Sequence, residues 1–193
     1  MNYLFFDFDK TLAYRDGRFV QAMLEVAGRA KVELDREEVQ KYLKFPWHTP
    51  ELSHAELFQG KPWWEYMEGQ FYHTFKSVGL REDMAEKLAK EVQDEYRRST
   101  KWLLYEDTIS VLERSVQAGY MNIVASNHVP ELEEIVIGLG IRDYFVEVFT
   151  SGKLGYEKPN PNFFRAIAEG LKLQDDDKVV MIGDNYVADV QGA

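Results

Sequence analysis

The fold is decided by the stretch Tyr3-Leu4-Phe5-Phe6-Asp7-Phe8-Asp9-Lys10-Thr11, where an apolar run meets two aspartates. A continuous apolar run of this kind predicts a buried strand of a parallel sheet, here Tyr3–Phe8. Side chains alternate along an extended chain, so Asp7 and Asp9 are expected on one side and Phe8 on the other. Parallel sheets bind ligands at the carboxyl ends of their strands, where this pair of carboxylates lies. Taken alone, the pair is equally well explained as turn or capping aspartates.

Three later apolar runs also predict buried parallel strands, and they lie at Met121–Ala125, Tyr144–Phe149 and Lys178–Ile182. Helical patterns separate these runs from one another. Alternation of strands and helices makes a parallel sheet with right-handed crossovers. The predicted fold class is therefore α/β, with a Rossmann-like parallel sheet core and helices on both faces.

The helices between these strands have recognisable ends. One is predicted from about Thr108 to Gln117, with Ile109, Leu112 and Val116 on its inner face and Gly119 as its stop. A second helix is predicted between Pro130 and Gly140. A third begins with Asn160 as N-cap and Pro161 at the first helical position.

The chain between the first two strands shows helical periodicity and no convincing strand. We expect residues 16–99 to form an all-helical cap domain inserted after the first strand, with residues 1–15 and 100–193 as the catalytic α/β core. Three of the four tryptophans lie in this insertion, within Phe45-Pro46-Trp47-His48 and Pro62-Trp63-Trp64. Most of these aromatic side chains are expected in the cap's own core, and one or two against an organic leaving group.

Polar residues follow the later strands as well. Ser126 and Asn127 end the second strand, where a hydroxyl, an amide and backbone N–H groups can cradle an anion, although Ser-Asn is also a common helix cap. Lys158 precedes a proline and is held extended, so it can neutralise a carboxylate or phosphate, or remain a solvated surface lysine. Asp184 and Asp189 follow the fourth strand and add further carboxylates at the same edge.

The accumulated charge at this edge predicts a cation. Two like charges about 4 Å apart repel by about 4 kcal/mol at an effective dielectric near 20. Three close carboxylates form three such pairs, about 12 kcal/mol, which is comparable with the whole stability of a domain. A divalent cation or a shared proton is needed. With oxygen ligands and no cysteine, Mg²⁺ is the natural candidate, since it keeps several waters and accepts a substrate phosphate oxygen.

The ordered set of motifs resembles those of the haloacid dehalogenase superfamily. The set comprises Asp7-x-Asp9-x-Thr11, Ser126-Asn127, Lys158-Pro159 and Gly183-Asp184-x-x-x-x-Asp189. The resemblance covers the whole chain, and the helical insertion is similar to the cap of the superfamily's α-helical-cap subclass, subclass I. Each motif is weak alone, but the ordered set in its strand context is specific.

The resemblance implies three catalytic residues. Asp7 would be the nucleophile that forms an aspartyl-phosphate. Asp9 would protonate the leaving group and later activate water, while its backbone carbonyl joins the metal shell. Lys158 would balance the charge on Asp7 and on the phosphate.

The remaining motif residues would hold the phosphate and the metal. Thr11 would orient the nucleophilic loop beside the phosphate, and Ser126 and Asn127 would hold phosphate oxygens. Asp184 would ligate Mg²⁺ together with Asp7 and Asp9. Asp189 would lie in the outer shell of the metal or on the Lys158 side.

These roles imply a Mg²⁺-dependent phosphohydrolase that acts on a small phosphorylated metabolite through an aspartyl-phosphate intermediate. Asp9 favours phosphoryl chemistry, because dehalogenase members of the family need no general acid at this position. Two alternatives stay open: a phosphomutase of the same family, and a non-catalytic binding module with the same fold.

The sequence departs from the family pattern at two places. Lys10 occupies a position that is usually glycine. The chain also stops at Ala193, where family members continue through a helix to a further strand, so we expect a truncated or proteolysed form whose Asp184 strand is uncovered. Among the histidines, His128 is expected either at the surface or in contact with phosphate, whereas His48, His54 and His73 show no ligand-like pairing.

The composition and charge of the chain limit the classes of partner that it is expected to bind. With 193 residues, 45% of them hydrophobic and 29% charged, the chain has the composition of a globular protein. A formal net charge of −10 opposes binding to a nucleic acid. No apolar run is long enough to span a membrane, and no export signal is seen. We therefore expect a cytoplasmic monomer or weak homo-oligomer that acts on a small-molecule phosphate ester.

Overall fold

The structure is a computed structural model that describes residues 1–45, 49 and 51–192. The strands are β1 (Asn2–Phe6), β2 (Ala13–Tyr14), β3 (Leu103–Leu104), β4 (Met121–Ser126), β5 (Glu147–Thr150) and β6 (Lys178–Ile182). The helices are α1 (Arg18–Arg29), α2 (Arg36–Tyr42), α3 (His54–Leu57), α4 (Trp63–Ser77), α5 (Glu82–Arg97), α6 (Thr108–Gln117), α7 (Leu132–Gly138), α8 (Ser151–Leu154) and α9 (Pro161–Leu171). Two short 3-10 turns and a π-helical turn, Tyr186–Gln191, complete the described elements.

The core is a four-stranded parallel sheet with the strand order β5-β4-β1-β6. The predicted α/β fold is confirmed, and β4 and β6 lie within one residue of their predicted bounds. The strand β1 ends at Phe6 rather than Phe8, because the chain turns there and the carbonyl of Phe8 accepts the amides of Leu12 and Ala13. The strand β5 starts at Glu147 rather than Tyr144, since residues 142–144 form a 3-10 turn.

Apolar side chains fill both faces of the sheet. Phe5 and Ile123 pack on one face with Phe163 and Ile167 of α9. The neighbouring residues along the strands point to the opposite face and pack against α6 and α7; this second cluster includes Phe6, Val124, Leu112, Leu132 and Ile135. The two-residue alternation of β1 and β4 thus places helices on both faces of the sheet.

The helix α6 has its predicted bounds, but its predicted inner face is wrong. Leu112 is buried as expected, whereas Ile109 is 45% exposed and Val116 is 47% exposed. The buried positions beside Leu112 are polar: the Thr108 hydroxyl donates to the Leu12 carbonyl at 2.7 Å, and Ser115 accepts from the Asn122 side chain at 2.7 Å. These buried hydrogen bonds set the rotation of the helix, because leaving the same groups unpaired would cost about 1–3 kcal/mol each.

The helices α1–α5 lie in sequence between β1 and β4. Their mutual packing buries a row of apolar side chains, which includes Met23, Met67, Phe71, Phe75, Leu88, Val92 and Tyr96. Trp64 and Met84 are only partly buried. The two chain segments that connect these helices to the sheet pair with each other as the antiparallel strands β2 and β3, a pairing that the sequence did not predict.

Several expectations concern the edges of the structure. The predicted N-cap of α9 is present, since the Asn160 side chain accepts the Asn162 amide at 2.9 Å. The edge strand β6 leaves Val179 and Val180 exposed. Trp47 and His48 lie outside the described residues. Within the described part of the chain, no helix combines the length and apolar character that a membrane crossing requires.

Lys10 adopts a left-handed backbone conformation with φ of 62°. This conformation crowds the Cβ of any L-residue and costs about 1–2 kcal/mol relative to glycine. We therefore expect Lys10→Gly to raise the free energy of unfolding by about 1 kcal/mol, measured by chemical denaturation. Lys10→Ala is the matched control, because it removes the charged side chain but keeps Cβ. Equal stability of the Gly and Ala variants would contradict the conformational explanation.

Candidate active site

A cleft of about 990 Å³ lies between the carboxyl edge of the sheet and the helices α1, α2, α4 and α5. The sheet side contributes Asp7, Asp9, Asn127, Lys158 and Asp184, five of the residues that the motifs singled out. The facing wall includes Arg18, Phe19, Gln40, Phe45, Trp63 and Tyr96. The cleft is large enough for a phosphate and an attached organic group.

The strand register brings the motifs together. Phe6 at the end of β1 pairs with Val124 of β4 on one side and with Ile182 of β6 on the other. The strands β1 and β6 therefore end at the same level, and β4 continues beside them for two more residues, to Ser126. Asp7 stays attached at this point, because its amide donates to the Ile182 carbonyl at 2.8 Å.

Lys158 lies between two carboxylates in the floor of the cleft. Its Nζ is 3.1 Å from Asp7 Oδ1 and 2.6 Å from Asp189 Oδ1. The side chains of Lys158 and Asp189 are each only 1% exposed. Asp189 also accepts the Asn185 amide at 3.0 Å, so it is held from two sides. A Cβ on Gly183 would lie 2.1 Å from Asp189 Oδ2, which explains why glycine precedes Asp184.

Three carboxylates form a compact group beside this lysine. Asp7, Asp184 and Asp189 each offer an oxygen, and the three atoms lie within 4.8 Å of one another. A donor set of carboxylate oxygens suits a hard divalent cation such as Mg²⁺. The Asp9 side chain instead points to Arg18, whose Nη1 is 3.3 Å from Asp9 Oδ2.

Burial dominates the electrostatics of both aspartates that follow β1. It raises the pKa of Asp7, while the charge of Lys158 and the nearby Ser126 hydroxyl lower it and the charge of Asp189 raises it. Burial also raises the pKa of Asp9 to about 6, against the opposing effect of Arg18 and with smaller contributions from Asp7 and Asp184. A carboxyl group with this pKa can give and take a proton near neutral pH.

The residues expected to contact phosphate differ in their surroundings. Ser126 is fully buried at the end of β4, and its hydroxyl, like that of Thr11, has no hydrogen-bond partner among the described residues. The Thr11 hydroxyl is buried and finds no hydrogen-bond partner among the described residues. Asn127 lines the cleft, but both ends of its amide bond to the Lys158 backbone.

His128 is buried, and the expectation of a surface histidine is wrong. Its ring packs among Phe8, Tyr96 and Trp102, and Nε2 is 3.5 Å from the Tyr96 hydroxyl. Burial, with a smaller contribution from the charge of Arg18, lowers the pKa of His128 to about 3. The surrounding aromatic residues come from segments distant in sequence, so the local sequence pattern could not predict the burial of His128.

Two residues of the cleft wall were missed by the sequence analysis. Arg18 reaches Asp9 from the first turn of α1, directly after Gly17, and nothing in the sequence around it marks it as functional. Tyr96 of α5 lines the cleft and stacks on Phe19 with ring centroids 3.9 Å apart. The helical periodicity of this part of the sequence agrees with a buried side chain but gives no sign of a cleft.

The fold and cleft define an α/β protein whose parallel sheet carries clustered carboxylates and a buried lysine at its carboxyl edge. A family model described as haloacid dehalogenase-like hydrolase matches residues 1–193, and the chain belongs to this family. The resemblance indicated by the four motifs is thereby confirmed.

Individual relatives agree with this assignment. Haloacid dehalogenase-like hydrolase domain-containing protein 3 of Mus musculus is 30% identical over 157 residues, which are 80% of this chain and 60% of that protein. A phosphoserine phosphatase of Thermus thermophilus is 27% identical over 219 aligned positions, covering 100% of this chain and 84% of that protein. The chain spans only 51–60% of the length of its first curated relatives, which are three mammalian proteins.

Solved structures share the fold. The HAD-hydrolase YfnB from Bacillus subtilis, described as bound to magnesium, superposes with a TM-score of 0.74 at 18% identity. The match covers 99% of this chain and 83% of that chain. At this level of identity the likeness establishes the architecture alone.

The buried His128 predicts a pH-dependent stability. Its folded-state pKa of about 3 lies below the value of about 6.5 of an unfolded histidine, so the unfolded state binds more protons between these values. Stability is therefore complete above about pH 6.5 and falls by up to about 1.4 kcal/mol per pH unit on acidification.

We expect the free energy of unfolding of the wild type to fall relative to that of His128→Phe as the pH falls from 6.5 to 4, measured by urea denaturation. His73→Phe is the control, because His73 is an exposed histidine of α4. Parallel pH profiles of the wild type and His128→Phe would refute a buried neutral imidazole.

Proposed function

We propose that this protein is a Mg²⁺-dependent phosphatase that hydrolyses a small-molecule phosphate monoester through an aspartyl-phosphate on Asp7. Membership of the hydrolase family supports this, as do relatives named phosphoserine phosphatase and glyceraldehyde 3-phosphate phosphatase. The observation that carries the proposal is the sharing of the Lys158 ammonium by Asp7 and Asp189, inside a group of three carboxylates.

Charge balance supports the choice of cation. When Asp7, Asp184 and Asp189 are all ionised, three negative charges face the single ammonium of Lys158, an excess of two. A divalent cation cancels this excess. The side chains of Asp7 and Asp184 and the backbone carbonyl of Asp9 would hold Mg²⁺, which when bound supplies charge neutralisation to the phosphate and its leaving group.

Asp7 is the proposed nucleophile. A carboxylate oxygen attacks phosphorus, the bond from phosphorus to the ester oxygen breaks, and an acyl phosphate forms on Asp7. The ammonium of Lys158, 3.1 Å from Asp7, is placed to balance negative charge on the transferring group. Phosphoryl transfer depends mainly on such positioning and charge stabilisation.

Asp9 is the proposed acid and base. In its protonated form it donates to the departing alkoxide oxygen, and as a carboxylate it then takes a proton from the water that attacks the acyl phosphate. Its pKa of about 6 leaves both forms accessible near neutral pH. The guanidinium of Arg18 holds this carboxyl toward the cleft.

The proposed phosphate contacts begin with Ser126, whose hydroxyl lies at the end of β4 beside Asp7. Thr11 is assigned to the loop that carries Asp7 and Asp9, where it helps to orient the nucleophile. Its buried hydroxyl, unpaired within the described chain, is available for that purpose.

We assign the helical segment, residues 16–99, to a cap over the site. Its contacts with the sheet side include two side-chain pairs: Trp64 Nε1 donates to Glu131 at 2.8 Å, and His54 Nε2 lies 2.9 Å from Glu157. Phe19, Phe45 and Trp63 provide partly buried rings on the cap side of the cleft, where an organic leaving group would pack.

The test is phosphate release from p-nitrophenyl phosphate. We expect Asp7→Asn to lower kcat by at least about 10³-fold, because an amide cannot form the acyl phosphate. Asp175→Asn, which changes an exposed aspartate between α9 and β6, should retain full activity. Wild-type rates in Asp7→Asn would reject the nucleophile.

Removal of the metal provides a second test. We expect a chelator to abolish phosphate release and added Mg²⁺ to restore it, because the carboxylate group at the site loses its counter-charge. Activity that persists after exhaustive chelation would contradict the proposed cofactor. Product analysis with sugar phosphates separates hydrolysis from mutase chemistry.

A further inference from the structure

The side chain of Asn127 pairs with the backbone of Lys158 at both ends of its amide. The Lys158 amide donates to Asn127 Oδ1 at 2.7 Å, and Asn127 Nδ2 donates to the Lys158 carbonyl at 3.0 Å. The two residues are 31 positions apart, so this contact ties the loop after β4 to the segment between α8 and α9.

This double hydrogen bond leaves Asn127 little capacity for phosphate. An asparagine amide has one oxygen acceptor and two N–H donors, and phosphate oxygens only accept. The oxygen and one donor already serve Lys158. The remaining N–H has its direction fixed by the bond to the Lys158 carbonyl.

These two hydrogen bonds also fix the position of the Lys158 backbone, from which its side chain extends. Lys158 lies in a turn, outside the regular strands and helices. Its ammonium nevertheless meets Asp7 at 3.1 Å and Asp189 at 2.6 Å while almost completely buried. Because this side chain is packed on all sides, it cannot adopt another conformation to compensate for a shift of its backbone.

We propose that Asn127 is a positioning residue that clamps the Lys158 backbone and so places the ammonium against Asp7, instead of binding phosphate. The inference rests on the proposed phosphatase function for its catalytic consequence, although the clamp itself exists without substrate. A displacement of about 1 Å at such a site costs about 10²-fold in rate.

The first experiment is a double-mutant cycle with p-nitrophenyl phosphate. We expect Asn127→Ala to lower kcat by about 10- to 100-fold with KM changed by less than about threefold. In a Lys158→Met background, the same change should lower kcat by less than about threefold, because the lysine through which Asn127 acts is gone.

Asn122→Ala is the matched control. Asn122 is a buried asparagine of β4, the strand that ends just before Asn127, and its side chain bonds to Ser115 and to the Tyr144 carbonyl. Its loss should lower stability but leave kcat unchanged at temperatures where the variant is folded. The control therefore separates general weakening of β4 from an effect that runs through Lys158.

Inhibition by inorganic phosphate separates the two roles directly. A residue that clamps Lys158 leaves the phosphate inhibition constant unchanged when it is mutated in the Lys158→Met background. If Asn127→Ala instead weakens phosphate inhibition there, or if the two kcat losses multiply, Asn127 contacts phosphate and the proposal is overturned.

The second experiment needs neither substrate nor activity. The buried ammonium of Lys158 is expected to give a protected side-chain signal in the ¹⁵N NMR spectrum, which shifts or broadens in Asn127→Ala and in the milder Asn127→Ser. An unchanged signal would refute the clamp even in an active phosphatase. A changed signal in a protein without phosphatase activity would keep the clamp and reject the proposed function.

Discussion

The arrangement of the site depends on one buried cation, the ammonium of Lys158 between Asp7 and Asp189. Removing one member of a buried charge pair costs about 3–5 kcal/mol, because the remaining charge is left uncompensated. The charge of Lys158 therefore lowers the pKa of Asp7, against the burial and the charge of Asp189 that raise it. The surrounding chain serves to hold these charges together: the β1 register fixes Asp7, the missing side chain of Gly183 admits Asp189, and Asn127 anchors the Lys158 backbone.

This constraint also explains why the two aspartates after β1 have different surroundings. Asp7 faces the lysine and the other carboxylates, whereas Asp9 faces the guanidinium of Arg18 from α1. Burial raises the pKa of both groups, but each has its own cation to oppose that effect. Two chemically identical side chains separated by one residue thereby acquire environments suited to different tasks.

Much of this could be predicted from sequence, for physical reasons. Apolar runs and the residues after them located β4, β6, Asp7 and Asp184, because the carboxyl ends of parallel strands share one edge. The rotation of α6 could not be predicted, since it follows buried hydrogen bonds of Thr108 and Ser115 with distant partners. The burial of His128 and the contact of Arg18 with Asp9 could not be predicted for the same reason. Both depend on contacts between residues distant in sequence and not on spacing along the chain.

The pairing of β2 with β3 has a mechanical consequence. Both passages of the chain between the sheet and the helices run side by side, and the register joins Ala13 to Leu104 and Tyr14 to Leu103. Next to them, buried Arg15 bonds to the Glu95 and Tyr96 carbonyls at the end of α5. Because the two connections are hydrogen-bonded to each other, a displacement of one would be transmitted to the other, and the helical segment would keep a single, coupled attachment to the sheet.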